Sequence, residues 1–138
     1  MRVKKIQINS NNPSFGTRLG ANLREKIYVA QKNHIINVKH LQVISKIQDD
    51  GLDVVLDISD KYVIKRSAEQ SILQRNKRLT ISDEQNNDIV IDNLEKVYRP
   101  TDDNQQFYFS LKNLAELFND DYNLAEKIRN GYNKLKTM

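Results

Sequence analysis

Along residues 36–66 the hydrophobic period changes at Asp49-Asp50-Gly51. Before the glycine, Ile36, Leu41, Ile44 and Ile47 recur at roughly helical spacing. After it, Leu52, Val54, Leu56 and Ile58 alternate with Asp53 and Asp57, as on a half-buried strand. The pattern predicts a helix over 35–48, with Gly51 at positive φ just past its end. A strand over 52–58 follows, its even-numbered side chains sharing one core. Ser59-Asp60-Lys61 reads as a turn, so this strand is expected to fold back onto residues 62–66 as an antiparallel hairpin.

The same reading extends in both directions. Residues 3–8 alternate as a short strand, and 9–16 form a loop of turn formers anchored by Phe15. Thr17 is placed to cap a first helix carrying Leu19, Leu23 and Ile27 and ending near Lys32-Asn33. Gly20 weakens that helix by about 1 kcal/mol relative to alanine, which leaves a strand over 26–31 as the alternative. Residues 67–74 read as a connector with room for one helical turn. Leu79 and Ile81, a loop over 83–87, and Ile89 and Ile91 form a second hairpin. Val97-Tyr98 and Phe107-Tyr108-Phe109 form a third around a polar loop that opens at Pro100.

Ser110 is a candidate N-cap for a helix carrying Leu111, Leu114, Ala115 and Phe118. Asp120-Asp121 caps a last helix carrying Leu124, Ala125 and Ile128, with Asn130-Gly131 as its end and 132–138 as a frayed basic tail. No internal repeat, low-complexity tract or linker interrupts the chain. These elements predict one α+β domain over 1–138: antiparallel β-hairpins flanked by N-terminal and C-terminal helices, with 1–16 as a strand-and-loop arm.

Length and composition agree with one folded unit. A chain of 138 residues matches the commonest domain size, and 38% hydrophobic against 29% charged residues excludes global disorder. No apolar run approaches the roughly 18 residues of a membrane span. Met1-Arg2-Val3-Lys4-Lys5 leads into alternating polar residues instead of an apolar signal core, so the expected location is the cytoplasm, the alternative being a chain from which a signal peptide has been removed. The absence of cysteine removes disulfides, thiolate metal sites and cysteine nucleophiles together. His34 and His40 are six residues apart, not the four that put two imidazoles on one helical face, so they are read as partly exposed side chains and no metal is expected.

Charge is uneven. Residues 1–82 hold fifteen Lys/Arg and seven Asp/Glu, 83–121 hold three and ten, and 122–138 hold four and one, for a net +4. Such asymmetry fits an anionic partner or an acidic segment folded against a basic one. Within the basic part, Lys61, Lys65, Arg66, Arg75, Lys77 and Arg78 lie within eighteen residues, and Lys65, Arg66, Arg75, Lys77 and Arg78 are the candidate contacts for nucleic acid or another anion. Clustered cations are what phosphate neutralisation requires. Tyr62 shares strand parity with Ile64 and is expected in the core, and no zinc finger, aromatic RNA-binding signature or basic heptad region accompanies the cluster.

Catalytic chemistry finds no motif. The carboxylate pairs Asp49/Asp50, Asp53/Asp57, Asp102/Asp103 and Asp120/Asp121 fall at turns, caps or the outer face of a strand, where both members stay solvated and ionised. Four scattered glycines make no phosphate loop, and serine, histidine and aspartate occur without a nucleophile-elbow context. No catalytic residue and no cofactor is assigned.

Asn12-Pro13-Ser14-Phe15-Gly16, with a helix after it and the junction Asp49-Asp50-Gly51-Leu52-Asp53-Val54, resembles a loose group of short uncharacterised proteins from gut bacteria that open with an Asn-rich stretch ending in Phe-Gly. The resemblance rests on about a dozen residues of the first half and implies a bacterial source and no site. The expected function is therefore non-catalytic binding, to a protein partner or to a second copy in a salt-sensitive homo-oligomer, since hairpin edges and opposite charges are both available. A nucleic-acid-binding accessory protein using the basic cluster is the first alternative. A small enzyme with an unrecognised site is the second.

Overall fold

The computed structural model describes residues 16–100 and 111–138. In chain order the elements are β1 (Arg18–Leu19), α1 (Ala21–Lys32), α2 (Val38–Gln48), β2 (Val55–Arg66), β3 (Ser71–Ser82), β4 (Asp88–Pro100), α3 (Leu111–Leu117) and α4 (Asp121–Lys136). The four strands form one sheet in the order β1-β2-β3-β4, antiparallel except for the short parallel pair β1–β2. This is the predicted α+β class. The expected strand over 3–8, the loop up to Phe15, the Phe107-Tyr108-Phe109 strand, the Ser110 cap and Asp102/Asp103 lie outside the described residues.

The period change at Gly51 is where it was expected. α2 ends at Gln48, Gly51 has φ +80°, and Val54, Leu56 and Ile58 are buried with Leu52 packed against them. Leu79 and Ile81 lie opposite Ile58 and Leu56 and bury with them. Leu23, Ile27 and Ala30 of α1, Ile44 and Ile47 of α2, Leu114 and Ala115 of α3, and Leu124, Ile128 and Leu135 of α4 join the same cluster. α1, α3 and α4 thus pack on one face of the sheet, and α2 joins the same core against α4. Burying this cluster is what holds the helices to one another and to the strands.

Four expectations are corrected. Ser59-Asp60-Lys61 is not a turn: β2 continues through it to Arg66, because Ser59, Asp60 and Lys61 each find a cross-strand partner in Arg78, Lys77 and Asn76. The turn is Ser67-Ala68-Glu69-Gln70 instead, closed by Ser67 N and Oγ donating to the Gln70 carbonyl, and residues 71–74 belong to β3, not to a connector.

Thr17 does not cap α1. Its N–H and Oγ1 donate to the Asp50 carboxylate at 3.1 and 2.7 Å, and Leu19 sits in β1, while Leu23 and Ile27 do lie on the helix. α1 starts after Gly20 with no cap from its own sequence neighbours. The Asp57 carboxylate fills that role across the fold, accepting from Leu23 N at 2.8 Å.

α4 does not end at Asn130-Gly131 but runs to Lys136, with Tyr132 packed on the core and Leu135 buried. Gly131 is a close-approach position. A Cβ there would lie 2.7 Å from Ile91 Cγ2 and 2.8 Å from Ile81 Cδ1.

Lastly, His40 is buried while His34 is exposed. His40 Nδ1 accepts from Asn37 N in the capping box that opens α2, and its Nε2 lies 2.8 Å from Asn119 Oδ1 at the α3–α4 corner.

Candidate functional site

The three long strands extend past the helical layer. Leu56, Ile58, Leu79 and Ile81 mark the covered half. Beyond them the same face continues as Asp60, Tyr62 and Ile64 on β2 and Lys77, Arg75 and Leu73 on β3, in cross-strand register. Tyr62 and Ile64 are 54% and 51% exposed, so the expectation that Tyr62 belongs to the core is overturned. Their parity with Leu56 and Ile58 is as expected; the helices that would bury them stop short.

At the boundary between the halves sits Asp60. Its carboxylate accepts from Lys77 Nζ at 2.7 Å and from Arg75 at 3.2 and 3.3 Å. Arg75 in turn places its guanidinium 5.7 Å from the Tyr62 ring centroid. Burial of the Asp60 carboxyl raises its pKa, but the hydrogen bonds and charges of Arg75 and Lys77 outweigh that and hold it below the ordinary carboxylate range. A depressed pKa means this clasp is fully present above the unfolded value near 3.9 and is lost as pH falls through the folded one. Carboxyl-carbon NMR titration should find the Asp60 midpoint below about 3.9, with the Tyr62 ring shifts moving in step. A midpoint above that value would show that the clasp does not form.

The opposite face carries no described helix. Its rows, read across β2, β3 and β4, are Val63, Gln74 and Tyr98; Lys61, Asn76 and Lys96; and Ser59, Arg78 and Asn93. Lys65 Nζ lies 5.9 Å from the Tyr98 ring centroid. Gln74 is only 7% exposed, and its Oε1 and the Nε of Arg78 are buried without a hydrogen-bond partner.

Strand parity divides the five predicted anion contacts. Lys65 and Arg78 belong to this open face, whereas Arg66, Arg75 and Lys77 belong to the helix side, where Arg75 and Lys77 share Asp60 and Lys77 is buried. The five do not form one patch. Lys61 and Lys96, which flank Asn76 on the open face, were not among them.

A third feature is the outer edge of β2. β1 pairs with it only at Val55 and Leu56. Arg18 N and Gly20 N donate to the carbonyls of Val54 and Leu56, so the even-numbered residues of β2 direct N–H and C=O outward. Ile58 is met there by the side chains of Asp57 and Asn22. From Asp60 to Arg66 no strand pairs with this edge among the described residues.

The remaining candidate chemistry is structural. Asp53 pairs with Arg18 at 2.8 Å, Asp50 holds Thr17, Asp120 caps α4 through Asn123 N, and Asp121 binds Lys46, which lowers its pKa. Among the described residues no group of three His, Asp or Glu side chains is placed to hold a metal ion, and no helix is long and apolar enough to cross a membrane. Comparison with protein-family models, with curated proteins and with solved structures finds no match to this chain.

Proposed function

We propose that this chain is a non-catalytic binding module, acting in the cytoplasm, that takes up an extended segment of a protein partner as an additional strand on the distal edge of β2. The observation that supports this most directly is that edge. From Asp60 to Arg66 its outward backbone groups have no strand partner among the described residues, and the exposed Tyr62 and Ile64 stand beside it. Strand addition draws affinity from main-chain hydrogen bonds and specificity from the side chains that flank them. Tyr62 suits such a contact, because a large ring already held by Arg75 loses little conformational freedom on binding. The charged residues Lys61, Lys65 and Arg66 guard the same edge against indiscriminate pairing.

Ile64→Pro tests the reading. The Ile64 N–H points away from β3, so proline removes no ladder bond within the protein, and stability should change by less than about 1 kcal/mol. A docking strand, by contrast, loses a donor and meets the ring. Peptides selected on the wild-type protein from a displayed random library should lose binding to the Ile64→Pro variant. Selected peptides that bind both proteins equally would refute strand addition.

A further inference from the structure

Resting on that reading of the β2 edge, we infer that it selects a segment of another protein in which residues follow the order acidic, apolar, any, apolar, acidic. A strand laid beside β2 sets each of its residues directly opposite one of β2, on the same face of the sheet. Residues opposite Lys61 and Lys65 therefore lie on the open face. Those opposite Tyr62 and Ile64 lie on the helix side, and the central one lies against Val63.

Lys61 makes no ion pair among the described residues, and Lys65 only overlies Tyr98, so both ammonium groups are available to a carboxylate. The nearest acid of β2, Asp60, is on the other face and already neutralised by Arg75 and Lys77. It does not repel an acidic segment. Tyr62 and Ile64 complete the pattern as the apolar pair, with Leu73 half-buried behind Ile64. Because the order reads the same from either end, it holds for parallel and antiparallel addition alike.

A second copy of this chain is the weaker occupant. The residue order occurs twice in the sequence, at Asp53-Val54-Val55-Leu56-Asp57 and Asp88-Ile89-Val90-Ile91-Asp92. In the first, Val54 and Leu56 are buried, Asp53 binds Arg18 and Asp57 caps α1. In the second, Ile89 and Ile91 pack on the core, and past an irregularity in the β3–β4 register Asp92 is held by Lys127 of α4 at 2.9 Å. Nor do two β2 edges suit each other: antiparallel pairing centred on Val63 sets Lys61 of each copy against Lys65 of the other.

The test uses the full chain and two synthetic peptides of about ten residues, identical except that one carries glutamates and the other lysines at the two outer pattern positions around a Val-Thr-Val centre. By fluorescence anisotropy the acidic peptide should bind at least about tenfold more tightly than the basic one. Lys61→Glu combined with Lys65→Glu should reverse that preference, with circular dichroism and melting unchanged because both side chains are exposed. Ile64→Pro should abolish acidic-peptide binding.

Equal affinity for the two peptides, or a preference that survives the charge reversal, overturns the inference. If library-selected peptides still lose binding to Ile64→Pro in that event, the edge remains a docking strand and only its acidic preference falls. An oligothymidylate that binds as tightly as the acidic peptide would make the surface a general polyanion site and overturn the pattern. Sedimentation showing a dimer that the charge reversal dissociates would overturn it in favour of self-association.

Discussion

Gly16→Ala should destabilise the protein by about 3 to 5 kcal/mol, a large loss for one added methyl. Two independent costs meet at this residue. Its φ of +116° lies in a region that glycine alone enters readily. A Cβ built there would also stand 1.6 Å from the carbonyl oxygen of Gln48, the last residue of α2. That oxygen is backbone and cannot swing aside as a side chain would.

Neighbouring bonds prevent an easy escape. Thr17 is tied to the Asp50 carboxylate through both its N–H and its hydroxyl, and Arg18 N donates to the Val54 carbonyl, so displacing Gly16 strains the attachment of β1 to β2. Gly51 provides the control. It has φ +80°, but a Cβ there would meet nothing within 4 Å, so Gly51→Ala should cost only the left-handed backbone penalty of about 1 to 2 kcal/mol. Urea melts of the two variants measure both values. A Gly16→Ala loss no larger than that of Gly51→Ala would show that residue 16 is not clamped to the end of α2.

Leu56→Ala should cost about 2 to 5 kcal/mol. Leu56 is fully buried, lies opposite Ile81 on β3, and belongs to the buried cluster to which all four helices contribute side chains. Its neighbours in the cluster are themselves buried, so little can collapse into the cavity that truncation leaves. The adjacent Asp57→Ala should cost about 0.5 to 2 kcal/mol, more than a solvent-facing strand residue would. The Asp57 carboxylate accepts from Leu23 N and from Ile58 N, both at 2.8 Å, and its removal strips α1 of its cap. Melts in which Asp57→Ala is the more damaging of the two would mean that the strand faces are reversed. A loss near zero would mean that α1 does not depend on the carboxylate.

Asp57 separates what can be read from the residues alone from what cannot. Alternation correctly sets Leu56 inward and Asp57 on the other face, because side-chain direction in a strand follows from parity. It cannot supply the partner, since Leu23 is thirty-four residues away and is brought near only when β1 pairs with β2. The division of the basic cluster is in principle legible by the same parity: Lys65 and Arg66 are adjacent, as are Lys77 and Arg78, so each pair must point to opposite faces of a strand. A turn expected at Ser59-Asp60-Lys61 and a connector expected over 67–74 hide it, because they break the two strands whose parity decides the matter. Local propensity favours that turn. The cross-strand bonds of Asp60 to Arg75 and Lys77, fifteen and seventeen residues on, outweigh it.

By itself the sequence determined the α+β class, the helix-to-strand junction at Gly51, the inward set Val54, Leu56 and Ile58, the loop over 83–87 and the Asp120 cap of α4. These are local: each depends on hydrophobic period, a backbone preference or a cap within a few residues. Only the tertiary structure decided how far β2 and β3 run, that Asp57 caps α1, that Gly131 is a contact with the sheet and not a helix end, and that Tyr62 and Ile64 are exposed. An apolar residue with core parity is buried only if another layer reaches it. Where the helical layer stops on this sheet is set by helix lengths and packing against the covered half, a property of the whole fold that no pattern within the strand records.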